Sequence, residues 1–312
     1  MNENNTNQVS SDAREINLIE LIHIFWKHKF FILFFTFIFS ITALFYAFSL
    51  PNIYRSSSLV SAQSSISGPD LGGYAGLAAI AGINLPSSSG DKSDMVLETI
   101  RSREFLKHLI SFEDILPALM AAKEYDPSTQ QIIYDEELFD DNSGNWIRDV
   151  EPPFDPTPSY LEAHESYLSD FSAYQVPETG FIVLSFDHVS PNFAYNFLSL
   201  IISEINKWMM QKDLDESSKA LAYLNDQASK TNLTNMNSSI SNLIESNLET
   251  QMRARSNDDY ALSIIDPPFT PELKSKPSRK LILILGTLIG GLLSLLLVMI
   301  NHYFIKKKYL HI

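Results

Sequence analysis

Two uncharged apolar runs interrupt an otherwise mixed chain: FFILFFTFIFSITALFYAFSL over 30–50 and LILILGTLIGGLLSLLLVMI over 281–300. At about 1.5 Å of rise per residue each spans roughly 30 Å as a helix, the hydrocarbon thickness of a bilayer. The pattern therefore predicts transmembrane helices at 30–50 and 281–303. The first run follows some 29 residues of polar and mixed chain and exceeds the length of a signal-peptide core, so an uncleaved anchor is expected rather than a cleaved leader.

Between the runs the periodicity changes several times. NIYRSSSLVSAQSS alternates in the manner of a strand leaving the first helix. Leu71 to Ile83 is apolar and glycine-rich but too short to span. It reads either as a loop with a buried face or as a segment packed between subunits. Asp94 to Ile110 repeats apolar residues at helical spacing (Val96, Leu97, Ile100, Phe105, Leu106, Leu109), with Ser93 or Asp94 as N-cap. EPPFDPTPSY, 151–160, must be a loop, because its prolines lack the N–H that helices and sheets use. FIVLSF, 181–186, predicts a strand, and Ser190 and Pro191 then supply an N-cap and a first helical residue.

From there to about 255 no glycine and no further proline occurs, which predicts a long helical arm over about 191–255. Its first half carries Phe193, Phe197, Leu200, Ile201 and Ile205 on one side. In the second half TNLTNMNSSIS competes for backbone bonds, and Leu233, Met236, Ile240 and Leu243 leave only a narrow coiled-coil-like seam. Either the chain turns back there or a thin helix continues. Such a seam needs a partner, and oligomerisation is the expectation. YALSII, 260–265, closes the domain as a short strand.

The segment 266–278 places Pro267, Pro268, Pro271 and Pro277 directly before the second run. This favours stiff, extended polyproline geometry, with Lys274, Lys276, Arg279 and Lys280 as candidate contacts to lipid headgroups or a lipid-linked diphosphate. Within the second run Gly286 and Gly290 form the GxxxG spacing that lets helices approach closely.

Charge then orients the chain. Lys27 and Lys29 abut the first run, so the positive-inside rule puts the N-terminus in the cytoplasm and, after two spans, the C-terminus with it. Lys306, Lys307 and Lys308 agree; Lys274, Lys276, Arg279 and Lys280 do not. The organisation expected is a cytoplasmic tail (1–29), a span (30–50), an outside domain (51–280), a second span (281–303) and a cytoplasmic tail (304–312). The outside domain carries 17 basic and 33 acidic residues, a poor surface for nucleic acid, and the chain has no cysteine for disulfides. The cytoplasmic tails are too short for a signalling output domain, and no GxxxxGK[ST] phosphate loop occurs.

Catalytic signatures are equally sparse. His108, His164 and His188 are scattered, no HExxH or GxSxG occurs, and there is no thiol nucleophile. Asp140, Asn142 and Glu151 sit at calcium-loop spacings, but Gly144 occupies a ligand position and the turn glycine is displaced, so an acidic surface turn is expected. These residues predict no catalytic site, no metal and no cofactor.

Four stretches carry a family resemblance: EINLIELIHIFWKHKFFI, GLAAIAGINL followed by GDK, TGFIVLSFDHVSPNFAYNFLSLIISEIN, and YALSIIDPPFTPELKSKPSR leading into the second run. In order and spacing they resemble the bacterial polysaccharide co-polymerases, or chain-length determinant proteins; 112–175 carries no such likeness. The resemblance implies an α+β periplasmic domain with a protruding helical arm between two transmembrane helices, assembled as a ring in the inner membrane. It implies non-catalytic control of the length of a surface polysaccharide, together with a membrane-embedded polymerase and its lipid-linked polymer. The missing kinase loop points to the lipopolysaccharide O-antigen type. On this reading the proline segment fixes the height and angle of the domain over the bilayer. The alternative is a membrane-anchored scaffold for capsular or exopolysaccharide export.

Overall fold

The computed structural model describes residues 18–63, 89–230, 234–256 and 259–309. The glycine-rich segment 71–83 and Leu233 lie outside the described residues. The chain divides into two compact units, one formed by 1–50 with 277–312 and the other by 51–276.

The first unit is helical. Helix α1 (Leu18–Lys27) precedes α2 (Lys29–Ser49), and α9 (Arg279–Tyr309) returns alongside α2. The sequence treats 1–29 as a tail, yet the apolar residues from Leu18 to Phe25 recur at helical spacing and Ile24 is buried. Lys29–Ser49 and Arg279–His302 are long and apolar enough to cross a membrane. Only 6% and 17% of their apolar windows are buried, unlike core helices of a globular domain.

Their packing explains the GxxxG spacing. A Cβ on Gly286 would collide with that of Ala43, and one on Gly290 would come within 2.5 Å of the Cβ of Phe39. Ala43 and Phe39 are one helical turn apart, so two absent side chains admit two present ones. Thr287 Oγ1 bonds Ser40 Oγ at 3.1 Å, and Arg279 Nε donates to Ala47 O at 3.1 Å. The pairs 39 with 290, 43 with 286 and 47 with 279 make the helices antiparallel.

The second unit is built on an antiparallel four-stranded sheet of β1 (Tyr54–Ala62), β6 (Phe171–Gln175), β7 (Ile182–His188) and β8 (Leu262–Asp266), in the order β6-β7-β1-β8. Strand β6 is not anticipated from the sequence: it is short, and only its register against β7 (Phe171 opposite Phe186, Gln175 opposite Ile182) makes it a strand. Across the sheet lies the first half of α7 (Pro191–Lys230), burying Phe197, Leu198, Ile201, Ile202 and Ile205. Helices α3 (Ser89–Ile100), α4 (Arg103–Leu109) and α6 (Tyr160–Asp170) complete the core with Ile100, Phe105, Leu106 and Tyr167. Ser190 Oγ accepts the Phe193 N–H and Pro191 opens α7, an N-cap followed by proline at a position whose N–H has no helical partner.

One expectation is corrected, and one open alternative is decided. The single helix over 94–110 is α3 and α4 broken at Arg101 and Ser102, and α3 begins before Ser93. Ser102 Oγ caps the Phe105 N–H at 3.2 Å, and the carbonyls freed by the break are taken by α6: Tyr167 OH bonds Ile100 O at 3.1 Å and His164 Nε2 bonds Arg101 O at 2.7 Å. The arm is also a hairpin. Helix α8 (Thr234–Ser256) packs back along α7, with Gln251 Nε2 donating to Ser218 Oγ at 3.1 Å and Ile240, Ala254 and Leu224 buried. Of the seam residues, Ile240 is thus buried within this chain's own hairpin.

The region 112–175 also contains helix α5 (Ile115–Ala121) and two hairpins, β2 (Ala122–Asp126) with β3 (Gln131–Tyr134) and β4 (Phe139–Asp140) with β5 (Asn145–Trp146). Arg148 holds the proline loop before α6, donating to Pro156 O, Asp155 O and Glu162.

Candidate functional site

The sequence singles out 266–278, and its geometry follows from what proline lacks. Strand β8 pairs with β1 as far as Asp266, after which Pro267 and Pro268 have no N–H to continue the ladder. Side chains of β1 take over. Ser58 Oγ donates to Asp266 O at 2.7 Å and Ser56 Oγ to Phe269 O at 2.8 Å; both serines are buried. At the far end the backbone resumes. Ile53 N donates to Lys276 O at 3.0 Å, and Ser275 N to Ile53 O at 2.8 Å. Residues 266–276 thus answer to only 53–59 on β1, and the excess stands off the strand with Leu273 84% exposed and Phe269 exposed, while Pro271 is buried.

An ion triad locks the same place. Asp187, at the end of β7, takes Arg55 through two bonds of 2.6 and 2.7 Å and Lys276 Nζ at 2.8 Å. Its side chain is 4% exposed. Burial works to raise its pKa, but the bonds from Arg55 and Lys276 prevail and hold the carboxyl below its ordinary value. Arg55 is correspondingly held up, chiefly by its bond to Asp187. The strap therefore joins the start of β1, which follows the first candidate span, to the residue just before Pro277.

This geometry sorts the candidate headgroup residues. Lys276 is committed to Asp187. Lys274 bonds Asn52 Oδ1 at 3.2 Å, and Arg279 bonds Ala47 O with its guanidinium 4.9 Å from the Phe48 ring. Lys280 is exposed.

Polar residues that sequence reasoning missed secure the rest of the base. Asn206, buried on α7, accepts the Ala261 and Leu262 N–H groups on Oδ1 at 2.7 Å each and donates from Nδ2 to Leu262 O at 3.0 Å, fixing the entry to β8. Tyr260 OH donates to Asp213 at 2.5 Å; burial and then that carboxylate push the phenol pKa up. Glu204 takes His108 at 2.8 Å and Lys207 at 2.6 Å. A polar side chain inside an apolar helical stripe, as at 204 and 206, is the one signal that marks these residues in the sequence.

His108, His164 and His188 are each engaged within the fold. His188 Nε2–H donates to Ala118 O at 2.9 Å and its Nδ1 accepts the Ser190 N–H at 3.0 Å. Burial drives its pKa down to about 4. Among the described residues no group of three His, Asp or Glu side chains is placed to hold a metal. The calcium-like stretch is the turn between β4 and β5: Asp140 caps it by accepting the Asn142 N–H and the Ser143 hydroxyl, and Gly144 adopts φ +68°.

Comparisons with known proteins follow the same line. Residues 14–112 match the family model described as Wzz, chain length determinant protein. No curated protein matches the chain. Among solved structures, a full-length bacterial polysaccharide co-polymerase aligns at 12% identity and a TM-score of 0.41, covering 93% of this chain and 99% of its own. A fragment of WzzB, polysaccharide co-polymerase from Salmonella Typhimurium, aligns at 11% identity and a TM-score of 0.29, covering 72% of this chain and 100% of its own. With scores this low, the solved structures carry no argument, and the family model speaks for residues 14–112 alone. Over residues 14–112, from the approach to the first candidate span to the turn after α4, this chain carries the fingerprint of the chain length determinant family, the family its sequence resembles.

Proposed function

We propose that this protein regulates the chain length of a surface polysaccharide, as a non-catalytic co-polymerase of the inner membrane. The observation that carries this reading is the chain length determinant match over 14–112. It is supported by two antiparallel apolar helices bracketing a single large unit, 51–276, which topology requires to lie on one side of a bilayer if both helices cross. Lys27 and Lys29, by the positive-inside rule, support a periplasmic place for that unit and cytoplasmic termini. In this reading the polymer is of the lipopolysaccharide O-antigen type, and the protein works as a homo-oligomeric ring with a membrane polymerase, as the family resemblance implies.

In this reading the unit 51–276 acts by position rather than by chemistry. The strap of 266–276 on β1 and the Arg55–Asp187–Lys276 triad hold together the two chain segments that lead to the spans. Pro267, Pro268, Pro271 and Pro277 stiffen the second of those segments.

The test is electrophoresis of surface polysaccharide from cells with and without the gene. Collapse of a modal ladder into an unregulated distribution is the expected result. An unchanged ladder overturns the reading, and loss of polymer altogether transfers the protein to an export scaffold.

A further inference from the structure

The helical unit contains an apolar groove of about 590 Å³ that no part of the function above uses. Trp26 and Lys29 stand at one end, Leu33 and Phe37 along its wall, and the bonded hydroxyls of Ser40 and Thr287 at the other. From Lys29 to Ser40 is eleven residues, about 16 Å along α2, the depth of one leaflet of hydrocarbon. Lys29 Nζ lies 5.1 Å from the Trp26 ring and 5.5 Å from that of Phe30, held by aromatic faces. Among the described residues no carboxylate pairs with it, and 29–50 and 279–309 contain none.

We infer that this groove binds one anionic phospholipid, its phosphate on Lys29 and one acyl chain along Leu33 and Phe37 as far as Ser40. The inference rests on reading α2 and α9 as membrane spans. Three observations select this occupant. The groove is one leaflet deep, as an acyl chain is and a much longer polyprenyl chain is not. Its mouth carries a cation that pairs with no carboxylate among the described residues and that an anionic headgroup complements. A second copy seated there through the same face would bring a second Lys29 against the first, like charges in a poorly screened place.

The test uses the full chain in phosphatidylcholine nanodiscs containing an equal mole fraction of either brominated phosphatidylglycerol or brominated phosphatidylcholine. The Trp26 signal is the fluorescence of the wild type less that of Trp26→Phe. Preferential quenching by the anionic lipid is expected, roughly fivefold for one basic residue at an anionic surface. Lys29→Gln abolishes the preference and Lys27→Gln keeps it. Equal quenching by the two lipids, or equal loss in the two lysine variants, overturns the site. So does displacement by a lower mole fraction of polyprenyl phosphate than of phosphatidylglycerol, or a disulfide between copies of Thr36→Cys. Resistance of the protein to carbonate extraction from membranes reads the spans independently, so a retained protein without lipid preference loses only the site.

Discussion

His188 and Asn206 show what single side chains decide in this fold. His188 has one ring nitrogen accepting a backbone N–H, which requires that nitrogen to be unprotonated, while burial holds the pKa at about 4. Its folded pKa lies below the ordinary value of about 6.5, so its contribution is complete above that pH and is lost as pH falls towards 4. The full loss is about 3 kcal/mol. Denaturant unfolding of the detergent-solubilised protein at pH 7 and pH 4.5 should show this decline, and His188→Gln should remove that part of the pH slope. Asp187 has the same sign in a lower window: its share is present above about pH 4 and lost as pH falls through the lowered folded value. Because Arg55 and Lys276 are 43% and 55% exposed, screening limits the expected cost of Asp187→Asn to about 1–2 kcal/mol. Asn206→Leu deserts two buried N–H groups and a carbonyl at once. It should lower unfolding stability by about 2–3 kcal/mol, against under 1 kcal/mol for a surface control such as Asn225→Leu.

Elements record where local preference met a competitor. Periodicity alone runs a single helix through 94–110, but Ser102 is a better N-cap than an interior residue, and α6 supplies donors for the carbonyls that a break exposes. Cap and bonds together outweigh continuation. In the helical unit, Gly286 and Gly290 are defined by what faces them, Ala43 and Phe39. Gly286→Leu and Gly290→Leu should separate α2 from α9, read as lost cross-linking between cysteines at Ser40 and Thr287, whereas Gly291→Ala, with nothing closer than 3.9 Å, should leave it intact. The arm resolves in favour of a turn: α7 ends at Lys230, α8 starts at Thr234, and Ser218 meets Gln251.

At the scale of the whole molecule, the proposed function predicts that replacing Pro267, Pro268, Pro271 and Pro277 by alanine changes the modal polysaccharide length. Ser56→Ala with Ser58→Ala should do the same more weakly, because these hydroxyls hold the segment to β1 where proline cannot. An unchanged ladder in the proline variant while the gene deletion abolishes modality would remove the segment from length control.

Several features were legible in residue order alone because each rests on a local property. These are the apolar lengths near 30 Å, the Ser190–Pro191 helix start, strands within 52–65, 181–186 and 260–265, the proline segment and the glycine spacing. So too was the resemblance to the chain length determinant family, through motifs contiguous in sequence, which the family model meets over residues 14–112. What only the tertiary structure decided involves partners far apart along the chain: β6 as a strand, the break at Ser102, and Asp187 between Arg55 and Lys276. The same holds for Asn206 on Leu262, and for the return of α8 along α7. A long-range partner changes the free energy of a residue by as much as its local propensity does, and nothing in the immediate sequence announces it.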